Sequence, residues 1–143
     1  AGLMPFILEW TARFAAALPA EVCIAGPDLG GPLNTAKDLF QTDLLFTALY
    51  DWPDLFARFL GFAADVQAAC YREVIAAAGG IDRLSCIDFD PVWAPEGRKG
   101  FVSDDVCAGL SPEHFRRFSI PANNRPAVPS TAAHPRAGHS RDR

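Results

Sequence analysis

The chain has 143 residues, of which 50% are hydrophobic, and carries 13 basic and 17 acidic side chains for a formal net charge of −4. That is one domain's worth of chain with enough apolar residues for a core. A mildly acidic balance with no block of like charge argues against nucleic acid and against an anionic membrane surface as partners.

In chain order, MPFILEWTARFAAAL reads as a helix. Phe6, Trp10, Phe14 and Leu18 fall four apart on one stripe, Pro5 suits a first turn, and Pro19 is the stop. Val22, Cys23, Ile24 and Ala25 form a short apolar run ended by Gly26-Pro27, the pattern of a buried parallel strand. DLGGPLNTAKDLF is a loop leading into a helix, with Asn34 or Thr35 as its expected cap. TDLLFTALY is a further helix presenting Leu44, Leu45, Ala48 and Leu49. A helix of about 26 residues follows, opened at Pro53 and closed by Gly79-Gly80. Leu55, Phe59, Phe62, Val66, Ala69, Glu73 and Ala77 track one face of it.

RLSCIDFD is expected as a second buried strand, with Asp88 and Asp90 at its C-terminal end. PVWAPEGRKG is a Pro- and Gly-rich loop, in which Arg98 and Lys99 are expected in solvent; Trp93, like Trp10 and Trp52, is expected as a packing residue, and of the three it is the best placed to line a pocket. GFVSDD is a third short strand ending in Asp104 and Asp105. SPEHFRRFSIP is a helix with Ser111 as N-cap, Pro112 at the first position and Pro121 as stop. From Asn123 the chain turns to prolines and scattered arginines without apolar period, so 1–122 reads as the folded part and 123–143 as a disordered tail.

Strands alternating with helices point to an α/β fold with a parallel sheet. In such folds the working loops follow the strands. Here those loops are PDLGGP, DFDP and SDDVCAG, and each carries acids. Cys23, Cys70, Cys86 and Cys107 form no CxxC or CxC pair and none neighbours a histidine, which removes zinc-knuckle and thioredoxin-type readings. Cys23 and Cys86 are expected as buried thiols. No apolar run approaches the ~18 residues of a membrane span. The start lacks a basic region before its apolar stretch, and a cytoplasmic protein is expected.

Four stretches together carry a family resemblance: Gly31-Pro32 opening a helix, ALYDWPDLF, the helix end AAAGGID, and the pattern of Ser111, Pro112, Glu113, Phe115, Phe118 and Pro121. In this order and spacing, over roughly residues 20–125, the chain resembles the uroporphyrinogen decarboxylase superfamily, which also includes corrinoid-dependent methyltransferases and members of unassigned substrate. The resemblance implies a TIM (β/α)8 barrel, which needs ~250 residues. About three short parallel strands and long helices then make this chain an incomplete part of such a barrel, a truncated member without decarboxylase activity by itself.

The resemblance further implies a lyase that removes carboxylate from the acetate side chains of a tetrapyrrole without any cofactor, the catalytic segment lying upstream of anything present here. The position of a substrate-binding tyrosine falls at Asp38 and that of a serine at Asp105, both departures from the decarboxylase pattern. Asp104, beside Asp105, and Asp28, after the first strand, complete the expected substrate-binding set. The methyltransferase branch uses zinc held by a His-x-Cys motif. His134 and His139 have no cysteine at that spacing, so no metal is expected. The partners expected are a small-molecule substrate and a second copy in a homodimer. A third reading, of another class, is a non-catalytic remnant associating through open sheet edges.

Overall fold

A computed structural model describes residues 2–87, 99 and 103–125. Its elements are α1 (Met4–Ala17), α2 (Pro32–Phe40), α3 (Thr42–Asp51) and α4 (Pro53–Ala78), then short 3-10 turns at Ile81–Arg83 and Asp105–Gly109. α5 (Pro112–His114), a π-helical turn at Phe115–Ser119 and α6 (Ile120–Asn123) close the described chain.

The expected α/β part-barrel is corrected by this architecture. Among the described residues there is no sheet, only an isolated parallel bridge between Ile24 and Leu84. The Ile24 N–H donates to the Arg83 carbonyl at 2.7 Å, and the Ser85 N–H donates to the Ile24 carbonyl at 2.9 Å. The first two expected strands therefore meet in parallel, but over a single rung. Val22 points into solvent, and Pro27 has no N–H with which to extend a ladder. Gly26 lies so close to the second segment that an added Cβ would sit 2.6 Å from the Ile87 carbonyl oxygen. The third expected strand lies partly outside the described residues, and its end runs directly into the 3-10 turn at Asp105. With no sheet among the described residues, there is no sheet edge there for a remnant to pair through. Asp88, Asp90, Trp93 and Arg98 lie outside the described residues, as does the tail beyond Arg125.

α4 is the spine. Pro53 opens it without wasting a donor, and Gly79 closes it in the left-handed conformation at φ 86°. Its first half joins Leu33 and Ala36 of α2, Leu45, Ala48 and Leu49 of α3, and Phe118 and Ala122 in one cluster around Phe56 and Leu60. Its second half joins Ile24 and Leu84 through Val74 and Ala78, with Met4, Ile7, Leu8 and Ala15 of α1 packed against them. The buried register is thus Phe56, Leu60, Ala63, Ala64, Ala68, Tyr71, Val74 and Ala78. It lies about one residue on from the stripe expected from the sequence, whose Leu55, Phe62 and Val66 face solvent. Alanines along this register let the neighbouring helices approach closely.

α1 shows the same inversion. It packs on α4 through the face holding Thr11, while Phe6, Trp10 and Phe14 are exposed. Arg83 closes the C-terminal end of α1. Its guanidinium donates to the carbonyls of Ala15, Leu18, Pro19 and Val22 at 2.7–3.2 Å, where the helix dipole favours a cation. Lys99 is buried rather than solvated: its ammonium donates to the carbonyls of Ile81, Asp82 and Leu84 at 3.2, 3.2 and 2.7 Å. Cys86 is buried as expected, whereas Cys23 is half-buried.

Ser111 caps α5 as expected, its hydroxyl accepting the His114 N–H at 3.2 Å. Pro121 does not stop the helix. The wider π turn at Phe115–Ser119 precedes it, relaxing the turn in which the proline lacks an N–H and crowds the preceding carbonyls. Phe118 and Ser119 are thereby turned inward against α4 and Asn123.

Candidate functional site

The N-terminus of α2 is the point on which distant parts of the chain converge. A helix start leaves its first N–H groups without intrahelical acceptors. Pro32 at the first position has none to lose, so the open donors begin with Leu33 and Asn34. Neither is satisfied by the N-cap residue, which is Gly31. Asp104 supplies the missing acceptor from 70 residues away: its Oδ1 takes the Asn34 N–H at 3.0 Å, and the Leu33 N–H also bonds to the carboxylate. Gly31 is what admits it, since a Cβ there would sit 2.5 Å from the Asp104 Cγ.

Asn34 answers in the other direction. Its side-chain Nδ2 donates to the Ser103 carbonyl at 3.3 Å and to Asp105 Oδ2 at 3.4 Å. Its Oδ1 accepts the Val106 N–H at 3.2 Å. The second oxygen of Asp104 accepts from Asn123 Nδ2 at 3.0 Å, which also donates to the Ser119 hydroxyl at 3.1 Å. One buried carboxylate therefore holds together α2, the 103–106 turn and α6. Burial raises the Asp104 carboxyl above the usual carboxylate range. The bonds from Asn123, Asn34 and Leu33 oppose that rise, and the neighbouring Asp105 charge adds to it.

Beside this junction lies an open cleft of about 270 Å³ lined by Asp28, Leu29, Gly30, Asn34, Thr35, Lys37, Asp38, Asp105 and Val106. Three of the four expected binding residues, Asp28, Asp38 and Asp105, thus line one cleft. The fourth, Asp104, is buried beneath it and acts as a cap. The Asp28 loop is preorganised: Asp28 Oδ1 accepts the Gly30 N–H at 3.1 Å, and Gly30 takes a positive φ of 59°. Gln67 of α4 fixes the same loop from behind, its Nε2 donating to the Leu29 and Gly30 carbonyls and the Thr35 hydroxyl at 2.8–3.2 Å. Lys37 pairs with Asp38 at 3.1 Å, a solvent-exposed bond worth little by itself.

Chemically the cleft is a set of exposed acceptors with one cation at its rim. It suits a ligand that presents N–H or O–H donors or a positive group. Among the described residues no arginine lines it, so none of them offers the guanidinium fork that best grips a carboxylate. Among the described residues, no three His, Cys, Asp or Glu side chains cluster so as to hold a metal ion. No described helix is long and apolar enough to cross a membrane.

Asn34 and Gln67 were missed by sequence reasoning as site residues. Asn34 was noted only as a cap, although its place two residues after Pro32 marks an open N–H. The signal for Gln67 is its place as a polar residue between Ala64 and Ala68, a side that only the structure shows to be buried. Comparison of the chain with family models, with curated proteins and with solved structures finds no match.

Proposed function

We propose that the chain carries the ligand-binding segments of an enzyme related in its chemistry to the uroporphyrinogen decarboxylase superfamily, a small molecule occupying the Asp28–Asp38–Asp105 cleft. The observation that supports this is Asn34. It ties the Gly-Pro-Leu-Asn stretch to the Ser-Asp-Asp-Val stretch through four hydrogen bonds. The first is one of the stretches on which the resemblance rests, the second holds Asp105, where the resemblance puts a substrate-binding position, and together they form one wall of a cleft. In the decarboxylase reading, pyrrole N–H groups donate to the carboxylates of the cleft. Decarboxylation also needs several cationic groups for the substrate's acid side chains, and among the described residues lining the cleft Lys37 is the one cation. The chain alone is therefore expected to bind without turning over.

The charge of the cleft favours a second reading. Asp38 and Asp105 stand where the decarboxylase pattern has tyrosine and serine, and three carboxylates repel a polycarboxylate. A superfamily member of unassigned substrate, donor-rich or cationic, fits the walls better than a tetrapyrrole.

Amide chemical shifts of the full chain, followed during anaerobic titration with uroporphyrinogen I and separately with spermidine, test both. Shifts confined to residues 28–38 and 103–106 are expected, with Asp105→Asn weakening binding at least about tenfold, the scale of one charged hydrogen bond. Response to uroporphyrinogen supports the first reading. Response to spermidine alone supports the second. Silence toward both, or shifts scattered elsewhere, refutes the cleft as a binding site.

A further inference from the structure

Asp104 is 8% exposed, and among the described residues no cation bonds to it. Its bonds come from neutral donors: the Asn34 and Leu33 N–H groups at the start of α2 and the Asn123 amide of α6. The charged and titratable groups around it are few. The 103–106 turn contributes Asp105, whose charge opposes ionisation of Asp104. α2 contributes Lys37 and Asp38, which pair with each other at 3.1 Å. The loop before α2 contributes Asp28, whose carboxylate holds the Gly30 N–H. α4 presents Tyr71 and Gln67 beside Asn123, and Arg125 there is engaged with Asp65 of α4 at 3.2 Å. Asn34 joins the buried acid to the open one. Its backbone N–H bonds to Asp104 at 3.0 Å and its side-chain amide to Asp105 at 3.4 Å. Ser103 donates its hydroxyl to the other oxygen of Asp105 at 3.3 Å. A group held at Asp105 in the cleft is therefore one residue away from Asp104.

We propose that the cleft takes a cation and that Asp104 is the specificity-determining group beneath it, binding of the cation displacing a proton from the buried carboxyl. This rests on the second reading above and narrows it to positively charged ligands. The balance is a simple exchange. The neutral carboxyl gives its O–H proton to solvent, and the carboxylate left behind keeps its acceptors for Asn34, Leu33 and Asn123. Burial and the Asp105 charge both favour the protonated form. A cation at Asp105 removes the second of these. A neutral polyol can fill the same hydrogen-bond acceptors, but it brings no charge and moves no proton.

Coupling between two sites is reciprocal. A cation that eases ionisation of Asp104 must itself bind more weakly, by the same factor, when Asp104 is protonated. Affinity is therefore high above the Asp104 midpoint and falls as pH drops through it. One positive charge acting through a partly exposed site is expected to separate the two forms roughly 3- to 30-fold in affinity.

Carboxyl carbon-13 shifts of the full chain, followed across the acidic pH range with and without spermidine, read the Asp104 midpoint directly. Its signal is the one missing from Asp104→Asn. The midpoint is expected to fall with spermidine and to stay in place with sorbitol. It should also fall in Asp105→Asn without any ligand, because the opposing charge is gone. Calorimetric titration with spermidine should show affinity dropping at low pH in the parent and dropping less in Asp104→Asn. Spermidine that binds at residues 28–38 while the Asp104 midpoint stays fixed overturns the proton exchange and leaves the cleft reading standing. Sorbitol binding as tightly as spermidine overturns the cation class. Silence toward spermidine at every pH overturns this proposal together with the cationic reading on which it rests.

Discussion

Replacing Asp104 with alanine removes the acceptor on which three segments converge. The N-terminus of α2 loses its side-chain cap from Asp104, a loss of about 1 kcal/mol. The amide of Asn123 loses a hydrogen bond to a charged acceptor, about 1.5–3 kcal/mol. Removing a buried carboxylate gives part of this back, since its desolvation no longer opposes folding. The net expected loss is about 2 kcal/mol, or roughly 6 °C in Tm for a chain of this length. Asp104→Asn is the internal control. It keeps the volume and an acceptor for the Asn34 N–H, and the Asn123 amide can reverse so that its Oδ1, a buried atom without a hydrogen-bond partner among the described residues, receives the new Nδ2. Its cost should stay below about 1 kcal/mol. Urea unfolding followed by circular dichroism, with equal m-values required, measures both. Alanine within about 0.5 kcal/mol of the parent, or asparagine as harmful as alanine, would refute the reasoning.

The same residue sets a pH dependence. Its carboxyl is raised by burial above its ordinary value of 3.8, so the folded chain holds that proton more tightly than the unfolded chain. The stabilisation is then full below 3.8 and is lost as pH rises through the higher folded value. The parent should lose stability relative to Asp104→Asn as pH rises above 3.8; a flat or rising difference in urea midpoints contradicts this. Gln41, between α2 and α3, holds φ 64° and ψ 154°, a region natural only to glycine. Gln41→Gly should therefore stabilise by about 1 kcal/mol, visible as a higher Tm. Gly26→Ala drives a Cβ to 2.6 Å from a backbone oxygen. It should cost about 1–3 kcal/mol and weaken hydrogen-exchange protection at Ile24 and Ser85.

The helices were largely legible because their ends are written locally. Pro53 with Gly79 bounds α4, and Ser111-Pro112 opens α5, with no help from the rest of the chain. Which face each helix buries was not legible. Phe6, Trp10, Phe14, Leu55, Phe62 and Val66 are as apolar as the residues that are buried, and composition cannot say which stripe meets a neighbour. Alanine-rich registers won the interior because they allow close helix approach. The strands were misjudged for a different reason. Apolar runs such as Val22–Ala25 become strands only when a partner offers a ladder, and Gly26-Pro27 limits this one to a single bridge. At the cleft, the acids were visible as residue types after apolar runs. The division of labour within the pair was not. Asp104 turns inward because α2 needs an acceptor and Gly31 leaves room, while Asp105 stays in solvent, and nothing between residues 35 and 102 announces that partnership.

A nitrogen-15-edited NOESY spectrum of the full chain tests most directly whether the 31–34 and 103–106 stretches close one cleft. The Val106 amide bonds to the Asn34 side chain at 3.2 Å and Asn34 Nδ2 lies 3.3 Å from the Ser103 carbonyl. Cross-peaks between the Asn34 side-chain amide and the amides of Asp105 and Val106 are therefore expected. Their absence, with the sequential cross-peaks of α2 and α4 intact, would mean that the two stretches do not meet and that the cleft does not exist.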